Sequence, residues 1–496
     1  MTTDNPSDIP RPIARKPKGF QDKLPHLLSA ERRLVDAVTG VYARWGFEAL
    51  DTGPFEYVDA LGKFLPDTDR PNAGVFALQD DDEQWIALRY DHTAPLARYV
   101  AENHERLPRP FRRYSAGPVW RNEKPGPFRF REFIQCDADS VGAAGPAADA
   151  EMIAIASETM QACGAAVGEY VVRVNTRQLL DGVMEAVQVG DPARRLIVLR
   201  SLDKMDKLGP EGVSLLLGPG REDESGDFTP GAGLDDKAVA TLLSFAGAGA
   251  DSRAATLNNL SNVAGGTAAG DAGVATLGEI DAILKALNVT DAMASFDPSI
   301  VRGLEYYTGP VFEAELLREF TDETGRPARF GSVGGGGRYD DLVARFTGER
   351  VPATGFSVGV SRLAAVLAAE AGAEELTGPV VVLALQRDHM ADYCALAAEL
   401  RAAGVRAEVY LGTSGMRAQM KYADRRKAPA VVIVGDKERE AGIVTVKDLA
   451  AGAQAAQTMT DNAQWRDERP GQFETTRQDF AARIRAVVAA NQGTGA

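Results

Sequence analysis

The N-terminal third of the chain shows two periodicities of apolar and polar side chains. Apolar residues in 28–45 fall three and four positions apart, which predicts an amphipathic helix. Alternation at 85–90 predicts a strand, and a second helix is predicted over 93–100. Apolar runs at 116–120 and 130–136 flank a polar segment, a pattern typical of a long antiparallel hairpin. This part of the chain therefore combines helices with antiparallel strands.

The middle of the chain adds further strands and a segment of different character. A helix is predicted at 143–166, a strand at 170–174 and another strand at 308–317. Between the two strands, 191–297 has helical periodicity, few aromatic residues and many Ala, Gly, Asp and Leu residues. We interpret this segment as a helical insertion with a mobile Gly-rich loop at 218–233.

After a linker at 374–379, strand-like and helical segments alternate regularly. Such alternation is typical of a small, separate α/β domain. The predicted order is strand 380–385, helix 390–403, strand 406–411, helix 415–426 and strand 430–434. The sequence after about residue 457 shows no pattern to which we can assign a role.

Composition narrows the class of protein. The 496 residues carry a formal net charge of −15, and 45% are hydrophobic and 25% charged, as is ordinary for a soluble globular protein. The chain has no run of roughly 18 apolar residues and no apolar signal segment, so we expect a cytoplasmic protein without a membrane span. Few, scattered cysteines and histidines argue against disulfides and a structural zinc site. Net acidity argues against a general nucleic-acid coat but leaves room for a local basic face.

The predicted hairpin concentrates charged and polar side chains at odd-numbered positions. On period-two strands such positions share one face of the sheet. Several guanidiniums and carboxylates on one face are costly to bury unless they bind a polyanion. The alternative interpretation is a solvated outer face with ion pairs. The residues concerned are Arg121, Glu123, Arg129, Arg131, Gln135 and Asp139, together with Phe133.

Three shorter segments combine charge with flexible backbone. Residues 301–309, Val-Arg-Gly-Leu-Glu-Tyr-Tyr-Thr-Gly, place a positive charge beside two phenols, and an ordinary turn into a strand is the alternative. Four glycines at 334–337 either permit close approach of a ligand or form a flexible turn, and they match neither a Walker A nor a dinucleotide motif. Residues 355–363 lead a strand into a helix where Arg362 can meet a phosphate, unless that arginine is simply solvated.

Taken in order, these segments resemble the class II aminoacyl-tRNA synthetases, and specifically the histidyl-tRNA synthetase family. The resemblance covers roughly residues 12–450. The matching segments are 47–54 (motif 1), 116–139 (motif 2), 355–363 (motif 3), and the histidine-specific segments 88–95 and 301–309.

The resemblance implies an α+β fold: an antiparallel-sheet catalytic domain with a helical insertion, plus a C-terminal α/β anticodon-binding domain. It also implies a homodimer with Pro54, the last residue of motif 1, at the interface. The implied divisions are a flexible N-terminal arm (1–17), the first part of the catalytic domain (18–190), the insertion (191–297), the second part of the catalytic domain (298–373) and the anticodon-binding domain (378–490).

The implied activity is ATP-dependent activation of L-histidine to histidyl-adenylate, followed by transfer of the histidyl group to the 3′-terminal adenosine of tRNA(His). In-line attack at phosphorus needs positioning and positive charge more than a general base. By resemblance, Arg121 binds the α-phosphate, Arg302 lies near the histidine carboxylate and the α-phosphate, and Arg362 holds the γ-phosphate end. Mg²⁺ is expected to bridge phosphate oxygens, and no protein ligand is assigned to it.

The resemblance assigns the other candidate residues to three ligands. Besides Arg121 and Arg302, histidine is expected to contact Asp91, Thr93 and Gln135 through its α-ammonium group and Asp139, Tyr306 and Tyr307 through its imidazole. The residues expected around ATP are Arg121, Arg129, Arg131 and Arg362, with Glu123 at the adenine amino group and Phe133 stacked on the base. The tRNA is expected to contact Arg417, Lys421, Arg425, Arg426 and Lys427, for which a solvated helix face is the alternative.

Two functional alternatives stay open, and the sequence departs from the family pattern at a few positions. One alternative is a non-catalytic, synthetase-like regulatory subunit of histidine biosynthesis, and the other is a prolyl or threonyl synthetase. Retention of the 301–309 segment disfavours both. Arg362 and the C-terminal domain also disfavour the regulatory subunit, and Asp139 also disfavours the other synthetases. Ser361 replaces a glutamate common before the motif 3 arginine, and Asp91 stands where some members have glutamate. His92 is expected to be packed or solvated rather than catalytic.

Overall fold

A computed structural model of the chain describes residues 12–61, 74–126, 128–222, 226–301, 303, 306–321, 327–370, 377–458 and 471–492. Its contacts divide the chain into two compact units, Met1–Gly372 and Ala373–Ala496. Within the described ranges, no helix is both long enough and apolar enough to cross a membrane.

The first unit is built on a mainly antiparallel sheet. Its strands are β1 (Glu48–Ala49), β2 (Phe55–Tyr57), β3 (Ala77–Gln79), β4 (Trp85–Leu88), β5 (Phe111–Trp120), β6 (Glu132–Val141), β7 (Tyr170–Thr176), β8 (Gly220–Glu222), β9 (Phe228–Pro230), β10 (Ala294–Phe296), β11 (Pro310–Thr321), β12 (Pro327–Arg338) and β13 (Ala353–Gly359). Eight of them pair in the order β1-β5-β6-β13-β12-β11-β7-β10, antiparallel except for the two edge strands. Strands β2, β4 and β3 form a separate small sheet. The predicted α+β architecture is confirmed.

The first unit also contains helices that pack against the sheets and against one another. They are α1 (Pro25–Arg44), α2 (Val58–Leu61), α3 (Thr93–Asn103), α4 (Pro146–Ala162), α5 (Arg177–Ala186), α6 (Pro192–Leu202), α7 (Met205–Leu217), α8 (Asp236–Ala246), α9 (Arg253–Ala264), α10 (Ala268–Ala286), α11 (Ala344–Thr347) and α12 (Val360–Glu370). The predicted apolar stripe of α1 is confirmed, because Leu34, Val38 and Val41 are buried. Cys136 and Ala138 of β6 belong to the same core. Since strand side chains alternate, the odd-numbered residues of β6 project from the opposite face.

The four glycines at 334–337 lie inside β12, in the middle of the sheet, and do not form a turn. The physical reason is close packing. A Cβ on Gly336 would lie 2.2 Å from the carbonyl oxygen of Gly355 and 2.6 Å from the Phe312 ring. The glycines therefore let the backbone run where no side chain fits.

The segment 191–297 is helical, as its periodicity predicts, and contains α6 to α10. Arg253, at the start of α9, is buried, and its Nε lies 2.7 Å from Asp281 while its Nη1 donates to the Ala294 carbonyl at 2.7 Å. The Gly-rich part, predicted as a mobile loop, instead contains the β8–β9 hairpin in its described residues.

The second unit is an α/β sandwich whose strands are β14 (Val380–Val382), β15 (Ala407–Val409), β16 (Ala430–Ile433), β17 (Ile443–Asp448) and β18 (Gln472–Thr476). Its helices are α13 (Met390–Ala402), α14 (Met416–Arg425), α15 (Asp436–Ala441), α16 (Leu449–Thr458) and α17 (Phe480–Gln492). The sheet order is β15-β14-β16-β17-β18, with β14, β15 and β16 parallel as the alternation predicts. The chain after 457 completes this unit, because β18 pairs with β17 and α17 buries Phe480 and Ile484.

Candidate active site

A cavity of about 700 Å³ lies over the face of the eight-stranded sheet that carries the odd-numbered residues of β6. This volume suits a ligand of nucleotide size. Besides the residues predicted from the sequence, the cavity is lined by Gly334, Gly335 and Ser357, whose small size leaves room for a ligand. The sequence-predicted residues that line it are Asp91, Thr93, Arg121, Glu123, Arg129, Phe133, Gln135, Tyr306, Tyr307 and Arg362.

Two of the described predicted residues do not line the cavity, and a third predicted residue lies outside the described part of the chain. Arg131 turns away from it, because its Nε donates to the Glu123 carbonyl at 3.1 Å and its guanidinium lies 5.9 Å from the centre of the Phe76 ring. Asp139 lies on the odd face of β6 but is buried and is not among the lining residues. Arg302 lies outside the described residues.

Strand parity does not explain how the arginines of the hairpin come together. Pairing of β5 with β6 ends at Trp120 and Glu132, so Arg121 and Arg131 belong to the connecting loop rather than to a strand. The prediction that Arg121 and Arg131 share one strand face is therefore wrong, because the loop between β5 and β6 includes both residues. Arg121 is placed instead by a hydrogen bond from its Nε to the Tyr90 carbonyl at 3.1 Å.

The Arg121 guanidinium lies 5.1 Å from the centre of the Phe133 ring. An arginine over an aromatic face keeps its edge groups available for a planar or tetrahedral anion. Because Arg121 and Phe133 both line the cavity, an anionic group and a flat ring system can bind side by side there.

Arg362 is fixed on another wall of the cavity, in the first turn of α12. Its Nη1 donates to the Ser332 carbonyl at 2.9 Å and its Nη2 to the Phe330 carbonyl at 3.1 Å. The guanidinium also stacks 4.4 Å from the centre of the Phe330 ring. Its charge adds to the positive end of the helix dipole, which favours a phosphate.

A carboxylate from α1 reaches the residue next to Arg362. Ser361 is hydrogen-bonded to the buried Glu31, and the Ser361 hydroxyl accepts the amide hydrogen of Ile134 at 2.8 Å. Lys23 Nζ lies 2.9 Å from Glu31. This network joins α1, β6 and α12, so the start of the arginine-bearing helix is anchored by side chains from two other elements.

Asp91 both lines the cavity and caps a helix. Its Oδ1 accepts the amide hydrogens of Thr93 at 3.1 Å and Ala94 at 2.9 Å, at the start of α3. Burial raises the pKa of Asp91 to about 6, and the bond from Ala94 opposes this shift. A carboxylate with this pKa becomes fully ionised when a cation binds beside it.

The aromatic end of the cavity rests on a buried polar cluster. The Tyr306 and Tyr307 ring centres lie 5.0 Å apart, and Tyr306 also packs 5.4 Å from Tyr339. The Tyr339 hydroxyl donates to Asp139, and Arg113 Nη2 lies 2.9 Å from the other oxygen of Asp139. Burial raises the pKa of Asp139 to about 6, while the Arg113 charge opposes the shift. Asp139 therefore supports the tyrosines from beneath.

The sequence interpretation missed Arg113 and Tyr339. Arg113 lies directly opposite Asp139 in the register of β5 and β6. The odd-numbered positions of β5, like those of β6, face the cavity side of the sheet, and extending the pattern to β5 would have identified Arg113. Tyr339 follows the glycine strand and carries no signal of its own in the sequence.

His92 is buried and packed, as the sequence analysis expects of a non-catalytic histidine. Its Nε2 lies 3.3 Å from the Gly117 carbonyl oxygen, and its Nδ1 lies 3.2 Å from the Ser115 hydroxyl. Burial, with the nearby charges of Arg113 and Arg89, lowers the pKa of His92 to about 3. The imidazole is therefore neutral near pH 7.

Replacing His92 by Gln should make the free energy of unfolding depend less steeply on pH below pH 6.5. Between pH 6.5 and about 3 the unfolded chain binds a proton that folded His92 does not. The contribution of neutral, buried His92 to the free energy of unfolding is fully present above pH 6.5 and is lost as the pH falls towards 3. Wild type should therefore lose about 2 kcal/mol more than the variant between pH 6.5 and 5. Urea unfolding followed by tryptophan fluorescence measures this, and equal losses would contradict it.

In the second unit, the predicted basic residues line the exposed side of α14 and the turn after it. Arg417, Lys421 and Arg425 are exposed and four residues apart, so they share one helix face, while Gln419 and Ala423 are buried on another. Arg426 and Lys427 are also exposed, and Arg426 is paired with Glu408 through two contacts of 3.0 Å.

An antiparallel sheet with an arginine-lined nucleotide-sized cavity, and a separate α/β unit with a basic helix, define the class II aminoacyl-tRNA synthetase architecture. The family model of histidyl-tRNA synthetase matches residues 19–363, and the model of the anticodon binding domain matches 379–465. The chain belongs to the histidyl-tRNA synthetase family.

Individual proteins agree with this assignment. The chain is 60% identical over 494 residues to a histidine–tRNA ligase of Caulobacter vibrioides, covering 98% of this chain and 100% of that protein. It is 54% identical over 473 residues to a histidine–tRNA ligase of Brucella suis, covering 94% of each. A solved histidyl-tRNA synthetase of Nostoc has 27% identity and a TM-score of 0.72, covering 96% of this chain and all of the other. These matches do not favour the regulatory-subunit or prolyl and threonyl alternatives.

Proposed function

We propose that the protein activates L-histidine with ATP to histidyl-adenylate and transfers the histidyl group to the 3′-terminal adenosine of tRNA(His). The observation that carries this proposal is the cavity in which two fixed arginines, Arg121 and Arg362, lie on one ligand-sized space with Tyr306 and Tyr307. The compartment that holds tRNA, ATP and histidine is the cytoplasm, and we place the enzyme there.

Arg121 and Arg362 bind opposite ends of the ATP triphosphate. Arg121 stabilises the negative charge that builds on the α-phosphate as the histidine carboxylate attacks, and Arg362 holds the γ-phosphate end. Phe133 stacks on the adenine, with Glu123 at its amino group, and Arg129 adds positive charge near the nucleotide. Arg131, which does not line the cavity, is given no direct contact with ATP. Arg302 is assigned beside the carboxylate and the α-phosphate on the family pattern alone.

ATP enters as its Mg²⁺ complex. In the part of the chain that the structure describes, no group of three or more His, Cys, Asp and Glu residues is placed to hold a metal. The ion would take ligands from phosphate oxygens and water, as Mg²⁺ does in many nucleotide sites. It would neutralise phosphate charge while the arginines orient the group.

Histidine is selected by hydrogen bonds at both ends. Asp91, Thr93 and Gln135 receive the α-ammonium group, and Tyr306 and Tyr307 read the imidazole with Asp139 behind them. An analogue that cannot hydrogen-bond leaves buried polar groups unpaired, which costs a few kcal/mol, or about 10²-fold or more in rate.

The test of the proposed activation step is ATP–pyrophosphate exchange with single amino acids. Purified protein should exchange with histidine and not with proline or threonine. Folded protein that exchanges with no amino acid, or with another amino acid in preference to histidine, would overturn the proposal.

The family pattern also implies a homodimer, and the small sheet supports it. Phe55 pairs with Leu88, and Tyr57 and Leu78 both pair with Ile86, so these five side chains share one face of the sheet. Phe55, Tyr57 and Leu78 are 43%, 55% and 47% exposed. A contiguous apolar face of this kind favours association with a second copy.

Placing a charge on that face should separate the dimer. Leu78→Asp is expected to shift the light-scattering mass from two chains towards one, because a carboxylate would be desolvated at the interface. Leu411→Asp, at an exposed leucine of the second unit, is the matched control and should stay dimeric. A dimeric Leu78→Asp protein would argue against this face.

The exposed face of α14 should supply part of the tRNA affinity. Changing Arg417, Lys421 and Arg425 together to Gln is expected to weaken tRNA(His) binding and to lower its log–log salt slope by about 2. Arg426→Gln should change the slope less, since Glu408 already pairs with that guanidinium. Histidine-dependent pyrophosphate exchange, which needs no tRNA, should persist, and an unchanged salt slope would contradict the prediction.

A further inference from the structure

Asp137 is a buried carboxylate on the cavity side of β6 for which the proposed function has no use. Its side chain is 1% exposed, and Ser115 and Ser357 lie on either side of it in the register of β5 and β13. Burying a carboxylate is costly unless it is paired. Its position therefore requires a compensating charge or hydrogen-bond donors.

The protein compensates the charge of Asp137 only in part. Three acidic groups face one another in this region, namely Asp91, Asp137 and Asp139, and burial raises the pKa of each. The charge of Arg113, hydrogen bonds from Ser357 and Gln135, and the charge of Arg121 oppose the shift at Asp137. Arg113 is already within 2.9 Å of Asp139, and Arg121 is assigned to the α-phosphate. A cationic ligand group bound beside these carboxyl groups would favour their ionised forms.

A chain of hydrogen bonds leads from Asp137 to the cavity wall. The Ser357 hydroxyl donates to Asp137 Oδ1 at 2.6 Å, and the Gln135 Nε2 group donates to the Ser357 oxygen. Gln135 and Ser357 both line the cavity. Asp137 Oδ2 and Gln135 Oε1 are buried, and neither has a hydrogen-bond partner among the described residues. Two buried acceptors without donors are unusual in a folded protein.

The direction of this chain decides which end of the Gln135 amide faces the ligand. A hydroxyl has one hydrogen, and Ser357 gives it to the carboxylate, so Ser357 can only accept from Gln135. Gln135 must then turn its NH₂ group towards Ser357. The carbonyl oxygen of the amide, an acceptor, is left for the ligand.

We propose that Asp137 is a positioning residue for the substrate's α-ammonium group, which acts through Ser357 to hold the Gln135 carbonyl towards the ligand and supplies a negative charge behind it. This inference rests on the proposed histidine activation. Asp137 touches no substrate atom in this account. An uncharged amide at position 137 can donate its NH₂ group to the Ser357 oxygen. The Ser357 hydroxyl is then free to donate to the Gln135 carbonyl, and the Gln135 NH₂ group, a donor, faces the ammonium group, which is also a donor.

The test uses Asp137→Asn and Ser357→Ala in the full-length enzyme, assayed by ATP–pyrophosphate exchange. Each variant should raise the KM for histidine about tenfold or more and change the KM for ATP less than twofold. The double variant should be no more than about twofold worse than the worse single variant, since both changes break the same chain. Ser140→Ala, a buried serine on the opposite face of β6, is the matched control and should behave as wild type.

Two inhibitors separate positioning from a general loss of structure. Histidinol keeps the α-ammonium group, and imidazolepropionate lacks it. Asp137→Asn should weaken inhibition by histidinol about tenfold and leave inhibition by imidazolepropionate unchanged. Equal weakening of both inhibitors, an unchanged KM for histidine, or additive effects in the double variant would overturn the inference. Absence of exchange in the wild type would instead overturn the proposed function.

Discussion

Arg121→Ala is expected to lower histidine-dependent ATP–pyrophosphate exchange about 10³-fold. The guanidinium is held on the Phe133 ring and by the Tyr90 carbonyl. In the role proposed for it, Arg121 would therefore bind the α-phosphate without reorganisation. An arginine that stabilises phosphoryl charge typically contributes a factor of this size. Arg121→Lys should recover only a small part of the rate, because an ammonium group cannot reproduce the planar fork.

The control for this prediction is an arginine of the same unit that is far from phosphate chemistry. Arg350 is exposed and paired with Asp341 at 2.6 Å. Arg350→Ala should keep the wild-type exchange rate, since surface pairs contribute little. An Arg121→Ala protein that is folded and retains more than about a tenth of the activity would argue against a role at the α-phosphate.

Arg113→Met is expected to destabilise the first unit by about 3–5 kcal/mol. Arg113 is 1% exposed and lies opposite Asp139, and its charge also acts on Asp137. Removing one partner of a buried pair leaves an uncompensated charge, which costs more than the pair contributes. Urea unfolding followed by tryptophan fluorescence suits the measurement, because Trp45, Trp85 and Trp120 all lie in this unit.

The double variant Arg113→Met/Asp139→Asn tests whether uncompensated charge is the cause. It should be destabilised less than Arg113→Met alone, because the carboxylate left unpaired is then neutral. A double variant as unstable as the sum of the two single variants would show that packing, rather than charge, explains the loss.

The sequence predicts this fold well where one periodicity dominates. The 3–4 spacing of α1 and the alternating segments of the second unit are local signals, and the helices and strands lie where they indicate. The glycines of β12 left two interpretations open, and only the flexible turn is wrong, because Gly334 and Gly335 line the cavity. The choice depends on non-local packing, such as that of Gly336 against Gly355 and Phe312, which the sequence does not reveal. Strand β18 and helix α17 are held by the core of the second unit, a non-local contact that periodicity does not reveal.

The sequence predicts most of the residues that line the cavity, but not the buried pairs that hold them in place. The motif resemblance points to residues that do line one cavity, including Arg121, Tyr306 and Arg362. It does not point to Arg113 or Asp137, because their importance arises from pairing across β5, β6 and β13. Register between strands distant in sequence is set by tertiary packing, so a single sequence carries only a weak signal for it.

The most direct test of the central claim is aminoacylation of tRNA(His) by the purified protein with radiolabelled histidine. We expect ATP-dependent formation of an alkali-labile histidyl ester at the 3′-terminal adenosine, absent when tRNA lacks that nucleotide and absent with labelled proline. Protein that is folded and exchanges pyrophosphate with histidine, yet leaves tRNA(His) uncharged, would contradict the assignment as a histidine–tRNA ligase.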